Sequence, residues 1–288
     1  MPAVSPSSKT VRVAAGNVAR SFDRHAQSYD KLVGANPGYH DHLRMSTQRM
    51  GLPNRGAGLR LLDLGCGTGA STAALLDAAP EADITAVDAS AEMLAQARRK
   101  VWPERVRFVH GDATQLTGLV RGPFDGILAA YLVRNLAEPD AALRQFHDLL
   151  RPGAPLALHE YSVRDSARSR AVWTAVCWTV IIPMGRARTG SSDLYRYLWR
   201  SVLRFDGVRQ LSQRMRAAGF DDVRVQTVPG WQQHIVHTVL GRRPFEQEAN
   251  ALPDPDAPTT PEGLPTTTDP DAATPPMGMD LPEPDTAA

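Results

Sequence analysis

Residues 61–72 read LLDLGCGTGAST, and the reading of that stretch decides the fold. Leu61, Leu62 and Leu64 make the short apolar run of a strand covered on both faces, as parallel strands of α/β sheets are. Gly65, Gly67 and Gly69 follow at once. Glycines this close together cost chain entropy and are kept where backbone must approach something closely or take a positive φ. A ligand at the N-terminus of a following helix is what such a turn suits. Strand, glycine turn and helix in that order predict a doubly wound, Rossmann-like sheet with helices on both faces.

Two ligand classes fit the glycines. GCGTGA satisfies G-x-G-x-x-G/A through Gly65, Gly67 and Ala70, the pattern of a dinucleotide site. It equally satisfies D-x-G-x-G-x-G, with Asp63 two residues ahead of Gly65. Asp63 separates the two, because a carboxylate sits poorly beside a doubly anionic pyrophosphate yet can hold an ammonium directly or through water. The second pattern resembles motif I of the class I S-adenosylmethionine-dependent methyltransferases. That resemblance implies S-adenosyl-L-methionine as cofactor, with the ammonium of its methionine part on Asp63.

The alternation continues beyond the turn. Residues 70–79 read as a helix, and residues 84–87 as a second strand that ends in Asp88, 19 residues after Gly69. An acid there is placed to accept hydrogen bonds from both ribose hydroxyls, which either class of nucleotide predicts. Ser90 is a better cap than Asp88 for the helix beginning near Ala91. A third strand over 106–109 runs into His110, Gly111, Asp112 and Ala113. Its GDA resembles the methyltransferase element whose acid and next amide hold adenine, and a nicotinamide site needs nothing comparable. The three acids thus stand at strand ends, where ligands of open α/β sheets collect.

A fourth strand over 124–129 leads into features that resemble one family, the ubiquinone and menaquinone biosynthesis C-methyltransferases. They are Arg134-Asn135, LLRPG over 149–153, Glu160-Tyr161-Ser162, DLYRYL over 193–198 and RAAGFDDVRV over 216–225. Upstream, SFDRHAQSYD over 21–30 sets Phe22, Ala26 and Tyr29 on one helical face. That segment resembles the helix that closes over the cofactor in many small-molecule methyltransferases, with Tyr29-Asp30 as the matching pair. The resemblance spans roughly residues 15–243. It implies Arg134, Asn135 and Tyr29 as catalytic residues, and Tyr29, Asp63, Gly65, Cys66, Gly67, Gly69, Asp88, Ala89, Met93, Asp112, Ala113 and Ala130 around the cofactor, with no metal. The reaction it implies is methylation of a hydrophobic small molecule, foremost C-methylation of a prenylated quinol such as demethylmenaquinol. O- or C-methylation of a phenolic or polyketide metabolite stays open, as does a non-catalytic module that only binds the cofactor.

Departures from the family pattern cluster where the acceptor should sit. LVGANPGYHDHLR over 32–44 lacks the family's Met-Asn pair and Trp, and residues 230–234, GWQQH, replace a Gly-Val-Val-Ala-x-His run. Arg134 stays protonated and is a poor base, so its implied role is to favour a phenolate or orient a water, with Asn135 fixing the loop. His40, His42, His110 and His159 are rival bases whose plain alternative is a packed or exposed side chain. Cys66, between two glycines, reads as packing rather than as a nucleophile.

Composition divides the chain into a lead over 1–15, a domain over 16–243 and a tail over 244–288. All 32 Lys and Arg fall within residues 1–243 with 21 of the 31 acids, so that part carries +11 against −10 for the tail. The tail is rich in Pro, Asp and Thr and poor in large apolar residues, which predicts disorder. The arginines form no aromatic-interleaved motif, which argues against nucleic acid. Two cysteines and the absence of an apolar leader core in MPAVSPSSKTVRVAAG point to a reducing, cytoplasmic setting. Substrate specificity is expected from an insertion over about 162–220, where AVWTAVCWTVII over 171–182 reads as apolar nearly all round. With its arginines that insertion suits a polyprenyl tail and a peripheral membrane contact; a homodimer interface or plain core is the rival reading.

Overall fold

The computed structural model describes residues 23, 30, 38–190 and 192–245; the expected lead, the acidic tail from residue 246 onward, and Phe22, Ala26 and Tyr29 lie outside the described residues. Its elements are α1 (Tyr39–Arg49), β1 (Arg60–Leu64), α2 (Ala70–Ala78), β2 (Asp83–Asp88), α3 (Ala91–Arg98), β3 (Val106–His110), β4 (Gly126–Ala130), a 3-10 turn (Val133–Asn135), α4 (Pro139–Asp148), β5 (Pro155–Tyr161), α5 (Ala167–Val176), a π-helical turn (Cys177–Ile181), α6 (Ile182–Thr189), α7 (Asp193–Arg204), α8 (Val208–Ala217), β6 (Asp221–Thr227) and β7 (Val236–Arg242). The strands form one sheet in the order β3-β2-β1-β4-β5-β7-β6. β1 to β5 run parallel, and β7 enters antiparallel between β5 and β6. Strand order reverses between β1 and β4, so a crevice opens at their carboxyl ends beside the glycine turn.

Side-chain alternation along the strands builds a core on each face. Leu62, Leu64, Ile127, Ala129, Leu156 and Leu158 pack with Phe146 of α4 and Leu211 and Met215 of α8. Leu61, Ile84, Leu128 and Ala157 pack with Met50 and with Leu75 of α2. The edge strand β6 is mostly exposed, charged, and shifted in register between Asp221 and Arg224, features that discourage edge pairing with another chain.

Three elements differ from the sequence expectations. The fourth strand begins at Gly126, and Phe124 makes only an isolated bridge to Leu150. Helix α1 escaped detection because its inward face carries His42, Ser46 and Thr47 as well as Leu43. Two of those polar groups are bonded across the core, Thr47 Oγ1 donating to Ala74 O at 3.0 Å and Ser46 Oγ lying 2.6 Å from His159 Nδ1, while His42 Nδ1 is buried without a hydrogen-bond partner. The stretch 171–182 is two-faced rather than apolar all round. Trp173 and Cys177 are wholly buried, while Trp178 and Val180 are 46% and 49% exposed. Pro183 has no N–H to donate and crowds the carbonyl four residues back, so the preceding turn widens to π geometry.

The insertion is a helical cap with its own core, in which Trp173, Leu194, Tyr195 and Val202 pack on Tyr161 and Val236 of the sheet. Among the described residues no helix is long and apolar enough to cross a membrane. Replacing Trp173 with Ala empties the centre of this cap and should cost about 3–5 kcal/mol, read as a shift in urea midpoint; a loss below about 1 kcal/mol would mean the cap does not share the domain's cooperative core.

Candidate active site

The glycine turn is stitched to β2 by backbone. Gly65 N and Cys66 N donate to Val87 O at 2.8 and 3.1 Å, and Gly67 N donates to Asp88 Oδ2 at 2.7 Å. Gly67 has φ 54° and nothing within 4 Å of where a Cβ would stand, so the turn presents bare backbone to the crevice. Gly69 has φ 91°, and a Cβ there would lie 2.7 Å from the Trp102 ring. The left-handed backbone at both positions, and the tight neighbour at Gly69, account for these glycines.

Asp63 lies wholly buried in β1. Its Oδ2 accepts from Ser71 Oγ at 2.8 Å and Thr72 Oγ1 at 2.7 Å, both on the first turn of α2, while Oδ1 is buried without a hydrogen-bond partner. Burial outweighs the two hydroxyls and pushes this carboxyl up to about 7. A buried acid with one oxygen committed and one in reserve fits a cationic partner such as an ammonium. Asp88 Oδ1 accepts from Ser90 N at 2.8 Å, and burial raises this acid too. Ser90, not Asp88, caps α3, accepting from Met93 N at 3.1 Å. Asp112 is exposed just past β3, with Oδ1 accepting from Thr114 N and Oγ1, both at 2.8 Å.

The sheet therefore brings Asp63, Asp88 and Asp112 to the ends of three neighbouring strands, as the spacing predicts. Ala89 stands exposed beside Asp88, whereas Met93, Ala113 and Ala130 are packed beneath the crevice. Cys66 is buried, and burial pushes its thiol well up, which leaves it inert as a nucleophile. Asp30 reaches the same turn, accepting from Thr68 Oγ1 at 2.5 Å and pairing with Lys100 at 2.7 Å. Asp23 accepts from Ser90 Oγ at 2.5 Å. Bound S-adenosyl-L-methionine would supply a methyl group already activated on a sulfonium; Asp63 would take its ammonium, Asp88 its ribose and Asp112 its base.

A second cluster stands at the ends of β4 and β5. Arg134 is not on a surface loop: its side chain is 5% exposed, and its Nη1 donates at 2.5 Å to Glu160 Oε2, whose side chain is 1% exposed. Its guanidinium lies 5.5 Å from the centre of the Tyr131 ring and 6.0 Å from that of Tyr161. Burial raises the Glu160 carboxyl, against the pull of Arg134. Asn135 is clamped, donating from Nδ2 to Tyr131 O at 3.0 Å and accepting from Tyr197 Oη at 2.8 Å. Tyr131 holds φ 55°, and its ring stacks between Tyr39 and Tyr161 with centroids 5.5 and 4.9 Å away.

Glu160, Tyr131, Tyr161 and Tyr197 were not among the expected site residues. Glu160 had a signal, being an acid that closes an apolar strand as Asp63 and Asp88 do. The histidines fare poorly as bases. His159 has one nitrogen on Ser46 and the other 3.0 Å from Tyr131 Oη, and burial lowers it to about 3. His42 is buried and lowered by burial, His40 is exposed, and His110 lies 3.1 Å from Ala89 O.

Strand order, glycine turn and strand-end acids together define a class I S-adenosylmethionine-dependent methyltransferase. The sequence profile of the ubiE/COQ5 methyltransferase family matches residues 9–238. A demethylmenaquinone methyltransferase of Clavibacter sepedonicus is 33% identical over 210 residues, covering 72% of this chain and 84% of that protein. The ubiquinone/menaquinone biosynthesis C-methyltransferase UbiE of Rubrivivax gelatinosus is 34% identical over 210 residues, covering 72% and 80%. Among solved structures, a possible histamine N-methyltransferase of Thermotoga maritima superposes with TM-score 0.56 at 21% identity, covering 78% of this chain and 98% of that one. The cyclase SpnF does so with TM-score 0.60 at 20% identity, covering 81% and 97%. These two share the fold, which by itself does not fix a reaction. The chain belongs to the ubiE/COQ5 methyltransferase family.

Because an ammonium pairs with a carboxylate rather than a carboxyl, affinity for S-adenosyl-L-methionine should rise as pH passes upward through about 7, where Asp63 ionises. Calorimetric titration should find that Asp63→Asn weakens binding by about 10-fold or more and flattens this rise; an unchanged pH profile would remove Asp63 from the cofactor site.

Proposed function

We propose that the chain transfers the methyl group of S-adenosyl-L-methionine to a ring carbon of a prenylated quinol such as demethylmenaquinol. The observation that carries this reading is the buried Arg134–Glu160 pair set against the Tyr131 and Tyr161 rings. A quinol carbon becomes nucleophilic when the neighbouring hydroxyl loses its proton, because the phenolate pushes electron density into the ring. A guanidinium held in a dry, aromatic setting favours that phenolate far more than one in water would. Glu160 fixes the plane of the guanidinium, and Asn135, clamped by Tyr131 and Tyr197, holds the loop that carries it. The stacked tyrosines suit a flat aromatic ring. Names of relatives with about a third of their residues in common point to the same acceptor, and the chain would meet it as a cytoplasmic protein, peripheral at the membrane that dissolves such a lipid.

Purified protein incubated with S-adenosyl-L-methionine and either reduced demethylmenaquinone or soluble phenols should methylate the lipid quinol on carbon, seen by mass spectrometry of the product. Arg134→Lys should lower kcat by about 100-fold or more, since an ammonium lacks the planar fork that Glu160 orients. Methylation of soluble phenols with the quinol untouched would overturn this choice of acceptor.

A further inference from the structure

The helical cap carries an unusual charge pattern. Between residues 167 and 204 there are seven arginines and one acid, Asp193, with no lysine or glutamate. All seven arginines are exposed, and among the described residues none of them is within ion-pair distance of a carboxylate. Helix α7 sets Arg196, Arg200 and Arg204 four residues apart along one face, and they line, together with Asp193 and with Arg134 at its inner wall, a cavity of about 740 Å³. The hydroxyls there have spent their protons: Tyr197 donates to Asn135 and Ser201 donates to Leu198 O. Asp206, also on the wall, is held by Arg214 at 2.5 Å. Asp193 stands on the wall too, in the first turn of α7, but guanidinium N–H groups outnumber it and match an acceptor-only anion such as a phosphate ester.

Beside this row stand the large apolar side chains that the π-helical turn leaves in solvent. Trp178 and Val180 are about half exposed. The Arg196 guanidinium lies 5.6 Å from the Trp178 ring centre, and Trp199 meets the same ring edge-on at 5.4 Å. Arg186 and Arg188 follow on α6. An indole backed by a guanidinium and flanked by unpaired arginines is the combination that partitions to the headgroup level of an anionic bilayer.

We propose that this cap docks the protein on anionic phospholipid, with Trp178 and Val180 at the headgroup boundary and Arg196, Arg200 and Arg204 on lipid phosphates. The proposal rests on reading the acceptor as a membrane lipid, and it adds the surface and the lipid charge class. Charge complementarity decides the occupant: a second copy would bring the same arginines face to face.

The test uses the full chain without methyl donor or quinol, so its outcome does not depend on the reaction. Sedimentation with phosphatidylglycerol vesicles should show binding that weakens with salt, and phosphatidylcholine vesicles should show little. Arg200→Ala with Arg204→Ala should weaken binding by about 10-fold or more, and Trp178→Ser with Val180→Ser should weaken it at all salt concentrations. Both pairs should keep wild-type melting temperature, and the Trp178 and Val180 pair should keep wild-type turnover of detergent-dissolved quinol, which separates docking from catalysis. Equal binding to both lipids, binding indifferent to these substitutions, or a lipid-free dimer by light scattering that Trp178→Ser dissolves would each overturn the proposal.

Discussion

A single buried ion pair ties the acceptor side of this enzyme together. Removing a guanidinium and a carboxylate from water is costly, and the pair persists only if its geometry and surroundings offset that cost. Here Arg134 follows β4 and Glu160 closes β5, so the pair fastens the loop of one strand to the end of its neighbour. Tyr131, directly after β4 and three residues before Arg134, is held with a left-handed backbone that a bulky residue adopts only under constraint. Its ring is gripped by Tyr39 and Tyr161, and its hydroxyl meets His159. Behind His159 the contacts run through Ser46 and Thr238 to Arg49. Strain at one residue is thus held by a polar chain that reaches back through α1, which explains why that helix has a polar inner face.

Donor and acceptor are served by different kinds of structure. On the donor side the chain relies on backbone, in a turn stitched to β2, and on acids whose positions follow from strand ends. Such a site depends little on packing around it, in keeping with a cofactor shared across many reactions. On the acceptor side the chain relies on side chains from the loop after β4 and from β5, α1 and α7 meeting one another. Arg134, Asn135, Glu160 and Tyr197 of that set lie in the stretches that resemble the family, whereas Tyr39 of α1 lies in the 32–44 stretch that departs from it.

That division also governs what could be read in advance. Asp63, Asp88 and the glycine turn were legible because strand periodicity and motif spacing are local, and the doubly wound class of the sheet follows from them. Helix α1 was not legible, since Ser46, Thr47 and His42 are buried by partners distant in sequence. Glu160 and Tyr131 became meaningful only when β4 and β5 lay side by side. The π-helical turn that splits 171–182 into a buried and an exposed face depends on Pro183, whose effect on the preceding turn no hydrophobic count conveys. Arg134 was found by spacing, but its partner, and hence its burial, came from the fold.

A double-mutant cycle on turnover of the quinol tests the central claim most directly, comparing Arg134→Met, Glu160→Gln and the two combined under saturating cofactor. If the pair acts as one unit, each single substitution should remove nearly as much activity as both together. Losses that simply add, or a Glu160→Gln enzyme with unimpaired turnover, would contradict it.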